Sequence, residues 1–226
     1  MSNICIIPAR GGSKRIPRKN IKYFLGKPII AYSIEAAINS NLFEEVIVST
    51  DDDEIAKIAK QYGAAVPFFR SNENSDDYAT LADVVVETLN KTEKKYNYVC
   101  TLLATAPFIF KKDIIEGFEI LSVNKNIDTV FSVVENSKEV LRSFNINNDS
   151  ELNFISTEFI KKRTQDLPKT YKDAGMFYIS KTKNVLLNKK LTSGRVELFE
   201  IDENLSQDID TLYDWKLAEY KYKHIE

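Results

Sequence analysis

Ile4-Cys5-Ile6-Ile7-Pro8-Ala9-Arg10-Gly11-Gly12-Ser13-Lys14 is the stretch on which the fold turns. Its apolar run is stopped by Pro8 and then by a glycine pair, which is the pattern of a buried strand feeding a loop. The loop continues to about residue 27. Pro28 suits the first turn of a helix, and Ile30, Ile34, Ala37 and Ile38 follow at helical spacing, so a helix is expected over 28–40. Working outward, 46–50 reads as a second strand. Asp51 to Asp53 place negative charge where a helix should begin; Ile55, Ile58, Ala59 and Tyr62 form its inner stripe, and Gly63 ends it. An extended run at 66–69, a polar stretch at 71–77, a helix over 80–94, a strand at 98–103, a helix over 111–124 and a strand at 129–134 continue the series. This alternation predicts an α/β fold: a doubly wound, mostly parallel, Rossmann-type sheet covered on both faces, with ligands beyond the carboxyl ends of its strands.

The pattern weakens over 135–170. A polar turn at 145–150 between alternating hydrophobics suggests a hairpin that leaves the body as a small arm, about 136–170, within a single domain spanning 1–226. Such an arm commonly makes a dimer contact. Late strands are expected at 176–179 and 196–201, and a closing helix over 211–223 presents Leu212, Trp215, Leu217 and Ala218 for packing.

Composition excludes several chemistries. A net charge of −2, from 31 basic and 33 acidic residues, argues against a general basic field for nucleic acid. No run of about 18 apolar residues is present to span a bilayer. Cys5 and Cys100 are the only cysteines, each in an apolar segment, which speaks against a disulfide framework or a zinc knuckle. The single histidine, His224, lies too near the end for a Ser-His-Asp triad or an HExxH site. The first ten residues lack the basic start and long apolar run of a secretory leader, so a cytoplasmic location is expected.

The even balance conceals a cationic loop. Between residues 10 and 22 stand Arg10, Lys14, Arg15, Arg18, Lys19 and Lys22, with no acidic residue. A glycine-containing loop after the first strand of an α/β protein is where phosphates are held, because glycines let backbone N–H groups approach an anion. This outweighs a merely solvated basic loop for Arg10, Lys14 and Lys19; for Arg15, Arg18 and Lys22 the two readings stand level. The GxxxxGK[ST] and GxGxxG patterns are absent, which disfavours a P-loop NTPase and a dinucleotide dehydrogenase.

A second constellation is Gln207-Asp208-Ile209-Asp210-Thr211. Residues two apart share a face of an extended segment, so Asp208 and Asp210 can aim two carboxylates at one point, an oxygen set that suits Mg²⁺. Spacing alone favours Asp210 as the N-cap of the last helix, and the metal reading gains only when paired with a phosphate-binding loop elsewhere. A third cluster, Arg163-Thr164-Gln165-Asp166 with Tyr171, Asp173 and Gly175, could hydrogen-bond a polyhydroxylated acid.

The stretch IIPARGGSKRIPRKNI, followed by LGKPIIAYSI, VSTDDDEIA, YGAAVPFFR, TAPF and QDIDT, resembles the acylneuraminate cytidylyltransferases, which activate nonulosonic acids with CTP and have a nucleotidyltransferase-like fold. SDDY at 75–78, RTQDL at 163–167 and DAG at 173–175 followed by Phe177-Tyr178 are most similar to the pseudaminic acid branch. The resemblance implies that Pro8, Ala9, Arg10, Gly11, Gly12, Ser13, Asn20, Arg70 and Thr80 bind the nucleotide, with Lys14 and Lys19 on its phosphates. It implies that Asp208 and Asp210 hold Mg²⁺, and that Leu103, Thr105, Arg163, Gln165, Asp173 and Gly175 line the sugar site. Arg10, Lys14, Lys19, Asp208 and Asp210 become the expected catalytic set.

The partners implied are CTP and a nine-carbon keto-sugar acid, in a homodimer without nucleic acid or membrane. The sugar alternatives are N-acetylneuraminate, legionaminate and 3-deoxy-octulosonate. Sialic acid enzymes tend to carry a glutamine where this chain has Leu103. Outside this chemistry stand a nucleotide-binding regulator without turnover and an RNA binder; the loop's only aromatics, Tyr23 and Phe24 at its end, make the latter poor.

Overall fold

The computed structural model describes residues 2–148 and 150–225; position 149, within the expected 145–150 turn, lies outside the described residues. Strand β1 (Asn3–Pro8) is almost entirely buried, as its unbroken apolar run requires. A short hairpin, β2 (Tyr23–Phe24) and β3 (Lys27–Pro28), ends the first loop and leads into α1 (Ile29–Asn39). Then come β4 (Glu45–Ser49), α2 (Asp53–Gln61), α3 (Leu81–Lys91), β5 (Tyr98–Leu102), α4 (Lys111–Val123) and β6 (Thr129–Glu135). The small hairpin β7 (Phe144–Ile146) and β8 (Leu152–Phe154) is followed by β9 (Tyr171–Lys181), α5 (Thr182–Asn188), β10 (Val196–Glu200) and α6 (Leu212–Lys223).

Six strands form one sheet in the order β10-β6-β9-β5-β1-β4. β4, β1 and β5 are parallel neighbours, as are β6 and β10, while β9 runs antiparallel between β5 and β6. The mixed α/β architecture with a mostly parallel sheet is the expected one. Three details differ from expectation. The run at 66–69 forms no strand, and only an isolated bridge between Ile47 and Ala65 extends the sheet there. The strand expected at 176–179 is longer and reversed, and α5 was not anticipated from the sequence.

A small antiparallel hairpin stands at the expected turn, outside the six-stranded sheet. Phe144 pairs with Phe154 and Ile146 with Leu152, and all four side chains are exposed.

Aromatic packing brings the two ends of the chain together. Phe24, fully buried just after the cationic loop, meets Tyr32 of α1 edge-on at 5.5 Å and Trp215 and Tyr222 of α6 at 5.6 Å each. Such contacts contribute about 0.5–1.5 kcal/mol each beyond area burial. They dock α6, and with it the preceding 206–211 segment, beside the first loop.

Candidate active site

A cavity of about 460 Å³ opens at the carboxyl ends of the strands. The first loop forms one wall with Pro8, Arg10, Ser13, Lys14, Lys19 and Asn20; Arg70 and Thr80 stand on a second, and Leu103 and Thr105, from the exit of β5, on a third. Ten of the residues singled out in the sequence therefore meet in one space. Ala9 is fully buried instead, and neither Gly11 nor Gly12 lines the cavity.

The loop is shaped by its own side chains. Arg18 adopts a left-handed conformation (φ 57°) that turns the chain into a 3-10 turn, Lys19–Ile21. The buried Asn20 then donates its amide to the Arg10 carbonyl at 2.9 Å, drawing the two ends of the loop together. Gly11 serves packing: its N–H donates to the Asp51 carboxylate at 2.8 Å, and a Cβ there would stand 2.8 Å from Asp52 Oδ2. Asp52 caps α2 by accepting from the Ile55 N–H at 2.9 Å, and it takes two hydrogen bonds from the Arg18 guanidinium. The Arg18 contact, opposed in part by desolvation, holds the Asp52 carboxyl down at about 2.

Two more loop cations converge on Asp77. Arg10 Nη1 lies 2.9 Å from Asp77 Oδ1 and 2.7 Å from the Asp76 carbonyl, and the Lys14 ammonium donates to Asp77 Oδ2. The buried Arg70 donates to the Ser49 carbonyl and hydroxyl; burial is the main force lowering its guanidinium from the ordinary value. Thr80 sits at the cavity rim as the N-cap of α3, in a reciprocal capping box with Asp83.

The acidic motif lies against the loop. Arg15 pairs with Asp210 at 2.7 Å, and the Lys19 ammonium stands 3.6 Å from the same carboxylate. Asp210 is not the N-cap of α6. Thr211 fills that position in a capping box with Asp214, leaving the Asp210 carboxylate to face the loop. Neither Asp208 nor Asp210 lines the 460 Å³ cavity; Asp208 opens onto a separate cleft of about 220 Å³, shared with Lys172, Asp173 and Lys221. The protein behind it and the neighbouring Asp210 raise its carboxyl above the ordinary aspartate value.

The expected sugar-side residues divide. Asp173 lies in the Asp208 cleft, and Gly175 (φ 62°) occupies a bulge where the β6–β9 register shifts between Phe131 and Val133. The buried Ser132 hydroxyl accepts from the Met176 and Phe177 N–H groups at 3.3 and 3.0 Å and so pins that bulge. Asp173 accepts the Gly175 N–H at 2.8 Å and the phenol of Tyr178, whose own ionisation is pushed up by burial and by this carboxylate. Arg163 and Gln165 are exposed on the segment after the arm hairpin and line neither space; Arg163 pairs with Asp166 at 2.7 Å.

Among the described residues no group of three or more His, Cys, Asp or Glu side chains could hold a metal. Asp208 and Asp210 are two oxygen donors with an unfavourable mutual charge, a pair that suits a hard divalent cation whose remaining positions are filled by phosphate and water.

Residues 4–225 match the family model described as cytidylyltransferase. The chain belongs to the cytidylyltransferase family. It is 43% identical to the pseudaminic acid cytidylyltransferase of Campylobacter jejuni over 99% of this chain and 97% of that one. It is 35% identical to the CMP-N,N'-diacetyllegionaminic acid synthase of Legionella pneumophila over 97% and 95%. CMP:2-keto-3-deoxy-manno-octonic acid synthetase, solved in complex with CTP, shares the fold at a TM-score of 0.75 and 18% identity over 99% of both chains. This cytidylyltransferase is thus a CTP-using nucleotidyltransferase, and no helix among its described residues is long and apolar enough to cross a membrane.

Sequence reasoning missed three side chains that shape the cytidylyltransferase site. Asp51 and Asp77 belong to local motifs that do not say what they face. Ser132 carries no signal, since a lone serine in a strand is commonplace.

Proposed function

We propose that this chain transfers the cytidylyl group of CTP to the anomeric oxygen of pseudaminic acid, releasing pyrophosphate. The observation that carries the reading is the convergence of Arg10, Lys14, Lys19 and Arg70 on one cavity with Leu103 and Thr105 opposite. The identity of 43% to a pseudaminic acid enzyme supports the choice of sugar. Attack of the anomeric hydroxyl on the α-phosphorus forms the new P–O bond as the bond to pyrophosphate breaks in line, and no covalent enzyme intermediate is required.

Arg10, Lys14 and Lys19 take up the charge that grows on the leaving pyrophosphate, while Asn20 keeps the Arg10 end of the loop in place. Ser13 and the Pro8 backbone border the nucleotide, and the apolar Leu103 shapes the acid side. Asp208 and Asp210 would hold Mg²⁺, which would supply positive charge to offset that of the phosphates. The buried free thiols of Cys5 and Cys100 are compatible with a reducing cytoplasm.

The exposed apolar hairpin supports a homodimer formed through the 136–170 arm. It also explains why Arg163 and Gln165 line no cavity within one chain: the arm carries them toward the partner copy. The test is to incubate CTP and Mg²⁺ with pseudaminate, legionaminate, N-acetylneuraminate and 3-deoxy-octulosonate in turn and measure pyrophosphate. Preferred turnover of pseudaminate is expected. Preference for another acid reassigns the substrate, and CTP binding without pyrophosphate release from any acid supports a regulator instead.

A further inference from the structure

We propose that Glu87 is a positioning residue for the nucleotide: from behind the cavity wall it fixes the 71–77 segment on which Arg10, Lys14 and Arg70 depend. This rests on reading the cavity as the CTP site. Glu87 projects from α3, and its side chain is only 11% exposed. Its carboxylate accepts the Ser71 N–H at 2.9 Å, the Ser71 hydroxyl at 3.1 Å, the Asn74 amide at 2.6 Å and the Lys91 ammonium at 2.5 Å. Burial alone would raise this carboxyl. The four donors overcome it and hold the group down at about 2, so the anchor stays charged through the physiological range.

The 71–77 segment has no regular strand or helix of its own, so it depends on such ties. What it presents to the cavity is specific. The Asn74 carbonyl lies 3.5 Å from Arg70 Nη1, the Asp76 carbonyl accepts from Arg10, and the Asp77 carboxylate bridges Arg10 and Lys14. Three of the cavity's cations are therefore oriented by a segment whose first half, at Ser71 and Asn74, is tied to one largely buried carboxylate. Glu87 itself does not line the cavity, so its effect on the reaction passes through Asn74 and Ser71.

The placement predicts which kinetic constant moves. Loosening the wall weakens the hold on CTP while leaving the acid side, built from Leu103, Thr105 and Asp173, untouched. The experiment compares Glu87→Ala, Glu87→Gln, Asn74→Ala and the Glu87→Gln/Asn74→Ala pair with wild type in the full-length protein. The measurements are KM for CTP, KM for the sugar acid, kcat, calorimetric CTP affinity and amide exchange across 71–79. Glu87→Ala is expected to raise KM for CTP about tenfold, the size of a lost charge-assisted hydrogen-bond set, with a fall in kcat through the loosened Arg10 and Lys14 and the acid KM within about twofold. Exchange across 71–79 should quicken, Glu87→Gln should fall between, and the double variant should be less than additive.

Should Glu87→Ala fail to fold, Asn74→Ala carries the same prediction. A folded variant of either kind with wild-type KM for CTP, or with equal losses toward both substrates, overturns the role of Glu87. Failure of the wild-type protein to bind CTP overturns the reading of the cavity instead.

Discussion

The Lys19 ammonium donates to the carbonyl of Ile209 at 2.7 Å, although 190 positions separate the two residues in the chain. That bond, with the 3.6 Å approach to Asp210, puts a cation of the first loop and a carboxylate of the 207–211 motif in contact. The cationic loop and the acidic motif are therefore one electrostatic unit, joined through the aromatic packing of Phe24 on α6.

Lys19→Ala and Asp210→Ala are expected to lower kcat by about a hundredfold each, the typical cost of removing one transition-state contact. Steady-state pyrophosphate release at saturating CTP measures it. Full turnover in either variant removes that residue from the catalytic set.

Gly11→Ala should destabilise the fold by about 1–3 kcal/mol, because its methyl would meet Asp52 at 2.8 Å and push apart the cap of α2. Gly12→Ala, with open space around its Cβ position, should change stability by less than about 0.5 kcal/mol. Urea denaturation of both variants checks the contrast.

Asp52 has a folded-state value of about 2, below the roughly 3.9 of an unfolded aspartate. A depressed carboxyl contributes stability that is fully present above the unfolded value and is lost as pH falls toward the folded one. Asp52→Asn keeps the cap but removes the ion pair. It should cost about 1 kcal/mol or less at pH 7, since Arg18 is 38% exposed and solvent screens the pair. The signature is a shallower fall in stability between about pH 4.5 and 2 than wild type shows, read from urea midpoints across that range.

Replacing Ile146 and Leu152, 69% and 52% exposed on the arm hairpin, with lysine should leave the domain folded and shift a dimer toward monomer in sedimentation velocity. An unchanged sedimentation coefficient removes the arm from the dimer contact.

Much of this site could be read from the sequence because its signals are local. The apolar run 4–7 before a glycine pair marks both a strand and the anion loop after it, and two aspartates two apart mark a carboxylate pair. Asp77 and Glu87 were hidden because their work is done across space: nothing near them in the chain says which cations or donors they face. The reversal of β9 was equally hidden, since an apolar run has no direction. The Asp210 cap was misjudged by one residue, since Asp and Thr both cap helices and only the geometry shows that Thr211 does so.

Because β9 runs against its neighbours, its first residues rather than its last stand at the carboxyl edge, with Tyr171 opposite Glu135. The segment after the small hairpin, residues 155–170, therefore enters β9 at this edge and reaches Asp173 and Gly175 within the strand's first five residues. Asp173 and Gly175 are thus held from the 155–170 side of the chain, whereas the 460 Å³ cavity is walled by the first loop, Arg70, Thr80 and the exit of β5. A change in the hairpin or in the 155–170 segment thus reaches the Asp173 cleft without passing through the first loop.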